Sequence, residues 1–502
     1  MEVKIDAKDT PPKKSEHKVP QGAHKKLKWK SPSGKTFQYE VRTEWMLLRK
    51  KERPAAEMFH TYYRMLDNKD KNRPITFVFN GGPGASSAYL HVGGLGPLRV
   101  YFESDGNLPA PPAELRNNPE SWLAFTDLVF IDPVGTGFSS IVEGDEKTDA
   151  KDPKDPQKTV DEKEYYQLNR DLDSIAEFME RFLSKHKLWE SPIYVAGESY
   201  GGYRTAKLAR RLQEKYGIGL TAAIAISPAL EWSLLNSHDY DVLHYVDSFC
   251  TMALAAAFHG KSRIFKKKNS IETMRKQIEE FASKDFSRLL VGGEHIPEKE
   301  WNSVLKKVAD YLGLDSDLVI RCQGRIRFWR FAREILKESN EVIGFYDATI
   351  KAIDPFPDRE SHEAPDPTLI SIERIFTGGI NQLIRCQIGL ETDRRYHLLS
   401  EEVNLAWKRD EQKHVFDTAV GATDDLRFAM SMNPHMKVLI THGYYDMVTP
   451  YFSTERLVSQ MRLLPSQKKN IFIRHFGGGH MFYTWDESRK AFTSWVKEIY
   501  ES

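Results

Sequence analysis

The sequence predicts an α/β fold with a mostly parallel sheet covered on both faces, and the alternation of its strand-like and helical stretches carries that reading. Short apolar runs that end in Gly/Pro loops alternate with stretches of helical period, as parallel strands require, because each must be joined by a crossover connection. The chain has 502 residues, 40% of them hydrophobic, enough to bury a sizeable core as one large domain or two ordinary ones. The 72 Lys plus Arg nearly cancel the 71 Asp plus Glu. A net charge of +1 leaves no basic field for nucleic acid.

Residues 1–28 hold eight Lys and four acidic residues with little apolar surface, so they read as a disordered basic tail. They contain no apolar stretch of a secretory leader, which predicts a cytoplasmic product, or a periplasmic or secreted one if a leader was removed. The runs Thr36–Val41 and Met58–Met65 flank a basic turn and predict an antiparallel pair at the edge of the sheet. Buried strands follow at Ile75–Phe79 and Leu128–Ile131, each ending in a glycine-containing loop. Residues from Ile141 to Glu164 are crowded with charges of both signs and form an exposed loop.

Leu168, Leu172, Ile175, Met179 and Phe182 recur at helical spacing, followed by a strand at Ile193–Ala196 and a helical stretch from Gly201 to Tyr216. A strand at Ala222–Ile226 comes next. Further strands are expected only at Met436–Ile440 and Asn470–Ile473. The interval 235–430 then divides a core of residues 29–234 and 431–502 as a large helical cap insertion, too long for a structureless loop. Trp232 at its entry and Trp301, Trp329 and Trp407 within it are expected to be cap core more than substrate contacts, while the insertion shapes side-chain pockets.

The longest apolar run, Met252–Phe258, is far below the roughly 18 residues of a membrane-spanning helix. Cys250, Cys322 and Cys386 are too few and too scattered for a disulfide scaffold. No His/Cys/Asp cluster has metal-ligand spacing, so neither metal nor cofactor is expected.

The most informative local pattern is Gly197-Glu-Ser199-Tyr-Gly201, directly after a strand and opening a helix. A turn that tight needs glycines two residues either side of the serine, and it lifts the hydroxyl above the sheet edge. The alternative is a glycine-rich turn with a buried, hydrogen-bonded serine. A serine hydroxyl needs an adjacent base held in one tautomer by a carboxylate. Asp446 follows the Met436–Ile440 strand, and His480 follows the Asn470–Ile473 strand through Phe476-Gly-Gly-Gly-His480, in the order Ser, acid, His. His442 is the rival base. It sits closer to a strand end and is expected to be structural.

Asn80-Gly-Gly-Pro-Gly-Ala-Ser-Ser87, Asn118-Pro-Glu-Ser-Trp122, Asp132-Pro-Val-Gly-Thr-Gly-Phe-Ser139, Gly197-Glu-Ser-Tyr-Gly-Gly202 and Gly479-His-Met481 resemble, in order, the signatures of the serine carboxypeptidase family, peptidase family S10. The resemblance implies an α/β-hydrolase fold and release of single C-terminal residues from peptides, with Ser199, Asp446 and His480 as triad. It also implies an oxyanion hole from the amides of Gly82 and Tyr200, and a grip on the substrate's terminal carboxylate from Asn80, the Gly81 backbone and Glu198. Two carboxylates in contact cannot easily both ionise, so acidic pH is expected to favour peptide binding.

The sequence departs from the family at Val78, where an aromatic is usual, at Ala85, where a cysteine is usual, and between Asp132 and Pro133, where a glutamine is usual. These departures resemble a bacterial-type branch, and whether the missing aromatic weakens carboxylate recognition is left open. The expected partners are peptides with a free C-terminus, without nucleic acid or a membrane span. A homodimer is left open. Two other functions stay open as well: a carboxypeptidase-like acyltransferase or esterase, and a non-catalytic binding protein on the same scaffold.

Overall fold

The computed structural model describes residues 17–50, 53–68, 70, 72–142, 162–235, 238–266, 268–359, 364–408 and 421–501. Fourteen strands are present among them: β1 Ala23–Lys30, β2 Thr36–Lys50, β3 Arg53–Met65, β4 Ile75–Phe79, β5 Leu98–Val100, β6 Leu115–Asn117, β7 Asp127–Ile131, β8 Ser140–Ile141, β9 Ile193–Glu198, β10 Ala222–Ile226, β11 Glu341–Ile343, β12 Lys351–Ile353, β13 Lys437–Thr441 and β14 Ile471–Ile473. Ten of them make one sheet, ordered β1-β2-β3-β7-β4-β9-β10-β13-β14, with β8 added beside β3. From β7 to β14 every pairing is parallel. The β1-β2-β3-β7 margin is antiparallel.

β4, β7, β9 and β10 are buried at every position, as strands covered on both faces must be. Alternation along β4 divides the core: Ile75, Phe77 and Phe79 join one apolar cluster and Val78 the other. The first cluster is closed by the helices Leu168–His186, Tyr200–Tyr216 and Thr423–Met432. The second is closed by Pro367–Asn381 and Asp486–Glu501. Gly217, at φ 65°, ends the Tyr200–Tyr216 helix in a conformation glycine adopts without strain.

The expected tail needs correction. Residues 1–16 lie outside the described residues, but 23–28 form most of β1, paired with β2 from Ala23↔Thr43 to Lys30↔Thr36. Trp29 is buried and Leu27 half-buried, while Lys25, Lys26 and Lys28 are exposed. Exposed lysines are what an edge strand needs to avoid pairing with other chains. The expected antiparallel pair is present as β2 and β3, but it runs longer than expected and β1 takes its place at the edge. Residues 143–161 of the expected charged loop lie outside the described residues.

The 235–430 interval is not one cap. Helices between Val242 and Glu334 build a separate apolar cluster around Phe249, Phe281, Leu305 and Phe331. Ile372, Phe376 and Ile380 instead enter the core against the sheet, as do Leu426 and Met430 on its other side. The interval also holds a small hairpin, β11 with β12. The cysteines are all free. No helix among the described residues is long and apolar enough to cross a membrane.

Candidate active site

The expected site residues lie at the end of β9 or in the segments that follow β4, β9, β13 and β14. Ser199 follows β9 at φ 62° and ψ −123°, a backbone conformation costly for a residue with a side chain. The fold enforces it by close packing on both sides. A Cβ on Gly197 would lie 2.1 Å from the Gly201 carbonyl oxygen, and one on Gly201 would lie 2.8 Å from that of Phe79. The glycines flanking the serine are thus needed for backbone contact, as the sequence pattern implied. The Ser199 hydroxyl does not cap its own helix.

Asp446 is fully buried and collects four donors. Val448 N–H at 2.9 Å and Thr449 N–H at 3.0 Å reach Oδ1; the Thr449 hydroxyl at 2.5 Å and His480 Nδ1 at 2.6 Å reach Oδ2. Those bonds fix the imidazole's orientation and tautomer, leaving Nε2 to face a substrate. Burial alone would push His480 down, but Asp446 and Glu198 more than offset it and hold the imidazole above its ordinary 6.5. Ser199 and His480 line one open cavity with Asn80, Gly81, Gly82 and Glu198. Nucleophile–base contacts tighten when substrate binds, so shared access to that cavity is the relevant geometry.

The loop after β4 closes against the start of the Ser199 helix. A Cβ on Gly81 would fall 2.4 Å from the Tyr200 amide nitrogen. Gly82 holds φ 96° and is followed by a cis peptide to Pro83. Gly82 lines the same cavity as Ser199, and the Tyr200 amide stands at a helix start, where N–H groups have no intrahelical partner.

Glu198 is buried beside the nucleophile. Tyr483 Oη donates to its Oε2 at 2.6 Å and Asn80 Nδ2 at 3.1 Å. Burial lifts its carboxyl to about 7, against the pull of His480, Tyr483 and Asn80. Asn80 is itself fixed: its Oδ1 accepts from Leu90 N–H at 3.0 Å, and its carbonyl accepts from Arg204 Nη1 at 2.8 Å. Arg204 forms a two-pronged buried pair with Asp171, both bonds 2.8 Å. Arg204→Met would strand the Asp171 charge in the core, so it is expected to cost about 3–5 kcal/mol in chemical denaturation. Adding Asp171→Leu is expected to restore most of that loss.

His442 plays no part in the cavity. Its Nδ1 donates to the Thr449 carbonyl at 3.0 Å, its Nε2 accepts from Thr454 Oγ1 at 2.8 Å, and burial pushes its pKa well below 6.5. Val78 is buried in the sheet core and does not line the cavity. Trp232 and Trp407 pack on the Tyr200 ring, Trp329 is half exposed, and neither these nor Trp301 reaches the cavity. The interval's wall residues are Tyr346, Leu369 and Leu399.

The remaining signature segments brace this site. Asp132 Oδ1 accepts from Ser87 N–H at 2.9 Å, tying the loop after β7 to the loop after β4. Asn118 Nδ2 donates to the carbonyls of Gly94 and Gly96 at 2.7 and 2.8 Å. Sequence reasoning missed Tyr483, Thr449, Arg204 and Tyr346, which have no local pattern. Among the described residues no group of His, Cys, Asp or Glu could hold a metal ion.

A serine carboxypeptidase family model matches residues 32–312, more than half of the chain. Serine carboxypeptidase-like 8 of Arabidopsis thaliana is 31% identical over 163 residues, covering 31% of this chain and 32% of that protein. Pheromone-processing carboxypeptidase kex1 of Sclerotinia sclerotiorum is 29% identical over 163 residues, covering 32% and 21% respectively. The matched stretch thus spans about a third or less of these relatives' length. Among solved structures, the Kex1 prohormone-processing carboxypeptidase of Saccharomyces cerevisiae aligns over 92% of this chain and 91% of its own, with a TM-score of 0.52 and 16% identity. That likeness establishes a shared fold.

Proposed function

The chain belongs to the serine carboxypeptidase family, and on that premise we propose that it releases single residues from peptide C-termini through an acyl-enzyme on Ser199. In this reading Ser199 Oγ attacks the last peptide carbonyl while His480 Nε2 accepts its proton. Asp446 holds the imidazole and stabilises its charged form. The amides of Gly82 and Tyr200 receive the oxyanion, each contributing about 2.7–4 kcal/mol. His480 then protonates the departing amino acid's nitrogen, and water, activated by the same imidazole, hydrolyses the acyl-enzyme.

The observation that carries the exopeptidase reading is Glu198, a buried carboxyl near neutrality in the cavity that holds Ser199 and His480. Protonated, it can donate to a substrate's terminal carboxylate, with Asn80 and the Gly81 backbone beside it. Ionised, it repels that carboxylate.

This sets a pH dependence with a definite sign. Glu198 keeps its proton below about 7 and loses it above. KM for a peptide acid is therefore expected to rise as pH climbs through that region, approaching roughly tenfold per pH unit. Glu198→Gln, which cannot ionise, is expected to flatten that rise. A pH-independent KM in the parent enzyme would remove the role assigned to Glu198.

Mass spectrometry of an N-blocked peptide, as free acid and as C-terminal amide, tests the function. Stepwise loss of single residues from the acid but not the amide is expected. Cleavage at internal bonds, or equal attack on both, would overturn the exopeptidase reading.

A further inference from the structure

Residues 345–349 belong to the interval between the two halves of the sheet, yet they thread between the loops that carry Asp446 and His480. On one side, Met447 N–H donates to the Phe345 carbonyl at 3.1 Å and Ala348 N–H donates to the Tyr445 carbonyl at 2.9 Å. Asp446 is thus held from both neighbouring residues. On the other side, His480 N–H donates to the Tyr346 carbonyl at 2.5 Å, and Gly479 N–H donates to Asp347 Oδ2 at 2.9 Å. The Tyr346 ring meets the imidazole edge-on, with centroids 5.3 Å apart at 85°.

This approach requires a glycine at 479. A Cβ there would lie 2.1 Å from the Tyr346 carbonyl oxygen and 2.4 Å from Asp347 Cα. The run Gly477-Gly-Gly479 has little conformational preference of its own, so the base loop depends on outside contacts for its shape.

Asp347 is buried, and no cation pairs with it among the described residues. Its Oδ1 accepts from Thr349 N–H at 2.9 Å and the Thr349 hydroxyl at 2.6 Å, both within its own turn. Its Oδ2 reaches out of that turn to the amide that precedes the base. A buried carboxylate without a counter-ion is costly, and hydrogen bonds to it are stronger than neutral ones.

We infer that Asp347 is a positioning residue for the reaction: by holding the Gly479 amide it fixes the Gly478–Gly479 peptide, one unit before the Gly479–His480 peptide that the Tyr346 carbonyl holds, and so sets the approach from which the His480 imidazole enters the cavity it shares with Ser199. This rests on the acyl-enzyme reading above. A misplacement near 1 Å at a reacting group costs about a hundredfold in rate. Losing the Asp347 bond leaves the loop held by the Tyr346 carbonyl, by the Tyr445 N–H to Gly478 carbonyl bond at 3.0 Å, and by the Ser227 hydroxyl to His480 carbonyl bond at 2.8 Å, none of which engages the Gly479 N–H.

Asp347→Asn and Asp347→Ala in the full chain test the assignment. The readouts are kcat and KM on a blocked dipeptide, plus the rate and final extent of Ser199 labelling by a fluorophosphonate. For Asp347→Ala, kcat and labelling rate are expected to fall together, roughly 10- to 100-fold, with KM unchanged and labelling reaching the parent's extent. Asp347→Asn keeps a carbonyl acceptor for Gly479 and is expected to retain more of the rate.

A merely structural role would lower the extent of labelling through loss of folded sites while leaving the rate per site intact. That outcome, or an undiminished kcat in both variants, overturns the inference. Should Asp347→Ala not fold, the rate per labelled site in Asp347→Asn decides. Failure of the parent enzyme to label at Ser199 would instead overturn the acyl-enzyme reading itself.

Discussion

Ser199→Ala is expected to lower kcat for peptide hydrolysis by roughly 10⁶-fold, with the affinity for a peptide acid essentially unchanged. The size of the loss follows from the hydroxyl's position. Ser199 sits in a strained turn that close contacts at Gly197 and Gly201 impose, with its side chain lining the cavity that His480 also lines. Binding should survive because Asn80, Gly81 and Glu198 lie on other parts of the cavity wall. What activity remains would come from the oxyanion donors and substrate positioning alone. Steady-state kinetics checks the rate and calorimetric titration of a peptide acid checks the affinity. A loss of only a few fold would mean that Ser199 is not the nucleophile.

The second large effect is expected at Asp446. Asp446→Asn keeps the volume but cannot accept all four of the donors now aimed at the carboxylate. If the amide oxygen faces the Val448 and Thr449 N–H groups, its NH₂ confronts His480 Nδ1 and favours the tautomer whose Nε2 carries the proton. An imidazole in that state cannot take a proton from Ser199. The expected fall in kcat is about 10⁴-fold. Because buried donors lose an acceptor, some stability is lost too, about 1–3 kcal/mol. Counting active sites by fluorophosphonate titration before computing kcat separates the two effects. A kcat near the parent's would mean that Asp446 does not orient the base.

These expectations rest on residues that one-dimensional patterns exposed well. Buried parallel strands are short continuous apolar runs, so Ile75–Phe79 and Ala222–Ile226 carried their own bounds. Glycines forced by backbone contact marked the turn at Ser199 and the loop before His480. Strand β1 was hidden by its lysines. Only Leu27 and Trp29 betray the alternation of a half-buried strand, and composition outweighed it. The Asp486–Glu501 helix carries a readable signal in the spacing of Phe492, Trp495, Val496 and Ile499.

The dual character of the 235–430 interval was harder to read. Helices that face a separate cluster and helices that face the sheet share the same amphipathic period, and only the partner differs. Tyr346, Asp347 and Tyr483 are single residues without a motif. Their roles come from carbonyls, a ring and a hydroxyl that long-range packing brings to the triad.

The most direct measurement is mapping of the covalent adduct formed by a serine-directed fluorophosphonate in the parent enzyme and in His480→Ala. One label per chain on Ser199 is expected in the parent, with the labelling rate falling by orders of magnitude when the imidazole is removed. A label elsewhere, or a Ser199 that reacts equally fast without His480, would contradict the convergence of these side chains into one catalytic unit.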